Sequence, residues 1–408
     1  MRFFILILLP IMLSANLIYT SNSTKEVAIL ESFDIEASFL YDQTMNEMRN
    51  SSYSISKEQQ FFQAMEDAYI FIPIIKKIIA EYSLPPEFLF LAMAESNFST
   101  RAYSNKKAAG FWQFMPETGR EYGLKIDDYV DERRDFIKST EAAAKFLSQL
   151  HQRFGKWYLA AIAYNCGGGR VTQAIQEAGS DELSVLLDPE KKYLPKESRM
   201  YIRKIVELAL MGNDEQFLIN NKYEYLLNRA NASSTSTIKL PAGESLFRVS
   251  ELTGIPIQEI RKLNRHLKYD FIPPYEDGYS IHIPYIKLSE FNESYFAEDI
   301  QNRYKVHIVK NGETLLKISK MYNISQNVIV DFNKLKEAKV QKQQKLIIPI
   351  DNSLEDVQVN SNFYYLVKNG DTLKSISREN QVSIKVLKLH NAFKDDLVTV
   401  GERIRLYE

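Results

Sequence analysis

Apolar residues fall into three regimes along this chain. Behind one positive charge at Arg2, Phe3 to Leu13 form an unbroken apolar run, closed by the small pair Ser14-Ala15. A secretory signal peptide has this layout, which predicts a leader over residues 1–15. An uncleaved anchor is the alternative, although the run is short for a helix that spans a bilayer. Residues 16–60 are polar, with weak helical periodicity. Over 61–213 apolar side chains recur at spacings of three and four, as at Phe71, Ile74, Ile75, Ile78 and Ile79, which predicts a mostly helical domain. Pro85-Pro86 opens one helix, since proline is tolerated in a first turn, and the helix continues from Glu87 to Ala94. Gly110, Gly119, Gly123 and Gly167-Gly168-Gly169 punctuate the rest. A connecting segment is expected over 214–235, and the Ser/Thr-rich stretch from Asn228 to Thr237 reads as linker.

The third regime is an internal repeat. Gly243-Glu-Ser-Leu246, Gly312-Glu-Thr-Leu315 and Gly370-Asp-Thr-Leu373 share one pattern, and an asparagine follows each glycine by 21 residues: Asn264, Asn333 and Asn391. Each repeat closes on a short alternating strand: Ile281-His-Ile283, Leu346-Ile-Ile348 and Ile404-Arg-Leu406. The second and third also open on strands, at Tyr304 and Tyr364. A compact strand–helix–helix–strand unit accounts for this order, with the Ser or Thr after the acidic residue capping the first helix. The expected modules are 236–286, 303–350 and 363–408. The first is divergent, with a longer gap before its closing strand that contains Pro273-Pro274. The fold class expected is α+β multidomain, a mostly α domain followed by three small βααβ modules.

Composition narrows the picture. The 408 residues are 45% hydrophobic and 25% charged, with a net charge of −1, which argues for folded domains and against a nucleic-acid binder. From Tyr304 onward there are 17 Lys and Arg against 12 Asp and Glu. So mild a basic bias suits an anionic polymer surface and equally an ordinary solvated face. Cys166 is the only cysteine, so no internal disulfide is expected. The five histidines, His151, His266, His282, His307 and His390, show no metal-ligand spacing, so neither a metal nor another cofactor is expected.

Glu95 is the candidate acid. It ends the run Phe88 to Ala94, in which every residue is apolar. Burial disfavours the charged form of a carboxyl and keeps it protonated to higher pH, as glycosidic-bond cleavage requires. Taken alone, an exposed glutamate at a helix end is the plainer reading. Downstream stand Gly110-Phe-Trp-Gln-Phe-Met-Pro116, Ala163-Tyr-Asn-Cys-Gly-Gly-Gly-Arg170 and Tyr193-Leu-Pro-Lys-Glu-Ser-Arg-Met-Tyr201. In this order and spacing the set resembles the family 1 lytic transglycosylases, whose catalytic domain has a lysozyme-like helical fold. The repeats resemble LysM modules, and one branch of that family ends in such repeats.

The resemblance implies roles residue by residue. Glu95 matches the general acid and base, and Ser96 is its motif neighbour. Ser104 matches a serine that hydrogen-bonds the carboxyl and steadies the sugar. Gln113 and Met115 match residues lining the cleft, Tyr164 and Asn165 the Ala-Tyr-Asn motif, and Tyr201, with Glu197 in the same segment, the late cleft wall. Core packing is the plain reading of Phe111, Trp112 and Phe114, with sugar stacking by one of them as the alternative. Cys166 and Gly168 stand where the family more often has alanine and proline. LysM modules imply binding to N-acetylglucosamine-containing glycan, with avidity gained from several weak sites. The implied reaction cleaves the bond between N-acetylmuramic acid and N-acetylglucosamine in peptidoglycan and leaves 1,6-anhydro ends. It needs one carboxyl, whereas most glycosidases use two. A lysozyme-type hydrolase with a second carboxylate and a non-catalytic wall-binding scaffold are the alternatives. No lipobox cysteine stands near residue 15, so an exported, periplasmic or wall-held monomer without a lipid anchor is expected.

Overall fold

The computed structural model describes residues 24–52, 55–226, 234–295, 304–322, 324–333, 335, 337–349, 364–367, 371–379, 384–391, 398 and 403–406. The expected leader and most of the expected linker lie outside them. The chain divides into two compact units, described separately here. The first holds the chain up to Ser236 with the short segments Arg265–Lys268 and Pro284–Ile286, and the second holds the rest.

The first unit is helical. Helix α1 (Ile72–Glu81) carries Pro73 in its first turn and buries Ile74, Ile75, Ile78 and Ile79. After a 3₁₀ turn at Pro86–Phe88, α2 (Leu89–Ser96) follows, and its residues Leu89 to Met93 are all buried. A helix apolar on every side must sit inside its domain. It stops at Asn97, which takes a left-handed conformation with φ 50°. Helix α3 (Phe136–Phe154) is capped by Asp135, whose carboxylate accepts from the backbone N–H of Ile137 and Lys138, and it ends at Gly155 with φ 72°. Helices α4 (Trp157–Cys166) and α5 (Lys196–Asn213) complete the frame: α2 and α4 pack on α5, while α1 and α4 pack on α3.

Residues 24–52 also belong to this unit, although their sequence reads as a polar segment. They bury Leu30, Phe33, Ile35 and Met45. Asp42 receives a two-pronged bond from Arg203 of α5, at 2.8 and 2.7 Å. That pairing holds the Asp42 carboxyl below its ordinary value against the opposing pull of burial.

The second unit consists of repeated strand–helix–helix–strand modules. Strand β1 (Thr235–Leu240) pairs with β2 (Tyr279–Pro284), β3 (Tyr304–Ile308) with β4 (Lys345–Pro349), and β5 (Tyr364–Leu366) with β6 (Arg403–Arg405). The β3–β4 pairing is antiparallel and runs from Tyr304 opposite Pro349 to Ile308 opposite Lys345. Two helices lie between the strands of each module, for example Leu315–Tyr322 and Gln326–Phe332. Ser245, Thr314 and Thr372 each accept a backbone N–H from the first turn of the first helix, as the turn sequence predicts.

The repeated asparagine has a structural explanation. Asn264 donates to the carbonyl of Ile260 at 2.8 Å and of His282 at 2.7 Å, and accepts the His282 N–H at 2.7 Å. Asn333 repeats all three bonds with Ile329 and Ile347. The amide thus acts as a strand backbone would, fastening the end of the second helix to the closing strand. The third module packs a small core of Val367, Leu373, Ile376, Leu387, Ile404 and Leu406.

Candidate active site

The site is built on the contact between α2 and α5. Burial of α2 fixes Glu95 near its C-terminal end, with the side chain half-buried. Tyr201, on α5 and 8% exposed, donates its hydroxyl to Glu95 Oε1 at 2.5 Å. Burial pushes the Glu95 carboxyl above its ordinary value. The bond from Tyr201 and the charge of Lys204 pull it back, while Glu197 adds to the rise. Burial, with Glu95 nearby, also lifts the Tyr164 and Tyr201 hydroxyls well above the usual tyrosine value, so both remain neutral donors. Lys204 donates to the carbonyl of Ala94 at 2.6 Å.

The segment from Gly110 to Pro116 forms the adjoining wall. Ser96 donates to the Phe111 carbonyl at 2.8 Å, and Tyr164 donates to the Trp112 carbonyl at 2.7 Å. The residue after Glu95 and the motif tyrosine of α4 therefore tether the same loop. Gln113 has φ 46°, and its amide donates to the Gly110 carbonyl at 2.8 Å, closing a tight turn. Met115 is 40% exposed and precedes the short helix Pro116–Glu121. Phe111, Trp112 and Phe114 are fully buried, with Trp112 bonded to Thr140 at 2.9 Å. They are core residues, and the sugar-stacking alternative falls.

Two further expectations meet the geometry differently. Asn165 accepts from Ser198 on α5 at 2.8 Å, so it helps join α4 to α5. Ser104 accepts the N–H of Ala108 at 3.0 Å and does not bond Glu95. Its loop closes on itself, with Ser104 N–H also bonded to the Ala108 carbonyl at 2.9 Å. Glu197 is exposed in the first turn of α5 and acts on Glu95 only through its charge.

Sequence reasoning missed two residues. Arg133, 3% exposed, donates to both Asp131 carboxylate oxygens at 2.8 Å and to the carbonyls of Lys107 at 2.6 Å and Phe114 at 2.9 Å. It fastens Phe114 of the wall loop and Lys107 just ahead of it to one side chain. Lys204 lies three residues past Tyr201, and that helical spacing is the one signal that could have found it. Asp127, an acid downstream of Glu95, is engaged in its own turn, where it accepts the N–H groups of Tyr129 and Val130 at 2.8 and 2.9 Å.

Similarity to known proteins extends over both the helical and the repeat-bearing parts of the chain. Residues 73–186 match the transglycosylase SLT domain, 234–299 the LysM-like domain of lytic transglycosylase MltD, and 307–349 and 365–406 the LysM domain. Membrane-bound lytic murein transglycosylase D of Escherichia coli (strain K12) is 27% identical over 343 residues, covering 81% of this chain and 74% of that protein. The peptidoglycan transglycosylase gp16 of Escherichia phage T7 is 31% identical over 121 residues, 29% of this chain and 9% of that one. Among solved structures, an inactive mutant of lytic transglycosylase Slt from Pseudomonas aeruginosa matches at 24% identity with a TM-score of 0.29, over 36% of this chain and 24% of that chain. The chain thus carries a transglycosylase SLT domain followed by a LysM-like domain of the MltD type and by LysM domains, the make-up of a peptidoglycan lytic transglycosylase.

Proposed function

We propose that Glu95 serves in turn as general acid and general base in cleaving the β-1,4 bond between N-acetylmuramic acid and N-acetylglucosamine of peptidoglycan. The observation that carries this reading is a half-buried carboxyl, raised by burial and bonded by a neutral Tyr201 hydroxyl. In the first step Glu95 gives its proton to the bridging oxygen and the glycosidic bond breaks. The substrate's own N-acetyl group stabilises the positive anomeric carbon. In the second step Glu95, now a carboxylate, takes the proton of the muramic acid C6 hydroxyl while that oxygen attacks C1. A 1,6-anhydro ring forms, no water is consumed, and Glu95 regains its proton. Tyr201 favours the carboxylate through its hydrogen bond. Ser96 and Tyr164 keep the Gln113–Met115 wall in place. The half-buried Ser104 hydroxyl accepts from Ala108 and can still donate, which suits a contact to sugar. The LysM modules hold the glycan strand, and the leader over 1–15 delivers the enzyme to the cell envelope.

The test is digestion of purified sacculi by the mature protein and by Glu95→Gln, with released muropeptides weighed by mass spectrometry. Products one water lighter than hydrolysis products, and absent with Glu95→Gln, support the reading. Reducing-end products would replace it with a hydrolase, and binding without release by either protein would leave a scaffold.

A further inference from the structure

Lys204 stands outside the motifs that mark the site. It lies on α5 three residues after Tyr201, and both side chains reach α2: Tyr201 bonds Glu95 and Lys204 bonds the carbonyl of Ala94 at 2.6 Å. Ala94 is in the last turn of α2, where carbonyls lack a partner within the helix and the helix dipole is negative. The next residue is Glu95. One ammonium therefore caps the end of the glutamate's helix and places a positive charge beside its carboxyl. The groups acting on Glu95 are Tyr201, Lys204 and Glu197 from α5 and Tyr164 from α4. Lys204 is the one cation in that set. The groups acting on Lys204 are Glu95 and Glu207.

We propose that Lys204 is a positioning residue for Glu95, a fixed counter-charge that steadies the carboxylate left once the proton has gone to the departing sugar. The inference rests on the reading of Glu95 as acid and base. Burial works against that carboxylate at the moment it forms, and the negative Glu197 adds to the opposition. A cation fixed on a backbone carbonyl offsets both without touching substrate, and it needs no reorganisation during the reaction. Without that charge, Glu95 becomes a weaker acid that stays protonated to higher pH.

The test uses full-length mature protein and kcat/KM against pH on solubilised glycan strands, below the melting temperature of every variant. Lys204→Gln retains an N–H donor but no charge, Lys204→Met retains neither, and Lys204→Arg retains both. The alkaline limb should move to higher pH in Lys204→Gln and Lys204→Met alike, by more at low salt than at high salt, with a lower plateau. Lys204→Arg should hold the limb where the unaltered protein has it. A fallen plateau with an unmoved limb would reduce Lys204 to a helix cap and overturn the inference. Glu95→Gln separates the two layers. Anhydro products from that variant would sink the reading of Glu95. An inactive Glu95→Gln beside an unmoved Lys204→Gln limb would sink the counter-charge alone.

Discussion

Replacing Gly110 with alanine tests whether close backbone packing shapes the wall beside Glu95. Gly110 has φ 79°, a left-handed conformation that costs an alanine about 1–2 kcal/mol. The new Cβ would also lie 1.8 Å from the carbonyl oxygen of Arg133. Real contacts of this kind stay beyond 3.0 Å, so the two backbones must part by roughly 1 Å or more. Arg133 resists such a shift, because its side chain is bonded to Asp131, Lys107 and Phe114. Overpacking of this kind costs about 1–3 kcal/mol beyond the strain in φ. Gly123→Ala is the control: its φ is 87° and no atom lies within 4 Å of the added Cβ, so it carries the conformational cost alone. The gap between the two variants should appear as a difference of about 2–12 °C in the melting of the first unit, followed by circular dichroism. Muropeptide release should fall in Gly110→Ala, because the Phe111 and Trp112 carbonyls that anchor Ser96 and Tyr164 move with the loop, and persist in Gly123→Ala. Equal melting losses in the two variants would refute the packing argument. Full turnover by a destabilised Gly110→Ala would show that the loop does not shape the site.

Three other substitutions probe separate parts of the molecule. Tyr201→Phe removes the donor that favours the Glu95 carboxylate, so the Glu95 carboxyl rises further and the alkaline limb of kcat/KM moves to higher pH; the lost bond to a charged group is worth about 1.5–3 kcal/mol, and a profile identical to the unaltered protein's would contradict the assignment. Glu95→Gln should stabilise the fold at alkaline pH and lose that advantage in acid. Burial raises the carboxyl above its unfolded value, so the stability tied to its proton is complete below the unfolded value and fades as pH climbs through the folded one. Glutamine keeps the neutral form throughout, and a pH-independent difference in melting would reject the linkage. Asn264→Ala takes two bonds from the backbone of His282 at a position only 2% exposed, and should destabilise the first module by about 1–3 kcal/mol per lost partner, read from urea unfolding of the full chain.

The features legible in the sequence are those written in local spacing. The α2 run, the Gly110 to Pro116 segment and the repeated Gly–acid–Ser/Thr–Leu turns each impose a pattern within a few residues, and their elements form where that pattern predicts. The recurring asparagine was visible as well, but its purpose depends on a strand 14 to 18 residues away. Contacts across longer separations left no trace. Lys204 and Ala94 stand 110 residues apart, and Arg133 bonds Phe114 across 19. The N-terminal segment misled for another reason. Its short helix Gln43–Ser52 and the 3₁₀ turn Ala37–Tyr41 bury only isolated residues, so their apolar periodicity is weak even where Phe39 and Met45 are enclosed. Ser104 shows the limit of transfer by position: the residue type is retained, but the bond expected of it is not made here.

A single carboxyl that must both give and take a proton is under opposite demands. As an acid it benefits from burial, which keeps it protonated; as a base it must have survived as a carboxylate in the same surroundings. Most glycosidases divide these demands between two carboxyls in different environments. On the proposed reading of Glu95, the surroundings of one residue divide them instead. The apolar flanks of α2 raise the carboxyl, while α5 brings a neutral phenol and a cation that favour the ionised form. Those two groups are three residues apart on one helix, so any shift of α5 against α2 changes both together. Arg203 falls between them in sequence, and by donating to the Asp42 carboxylate it ties α5 to the N-terminal segment. The N-terminal segment thereby helps hold in place the helix that carries both Tyr201 and Lys204.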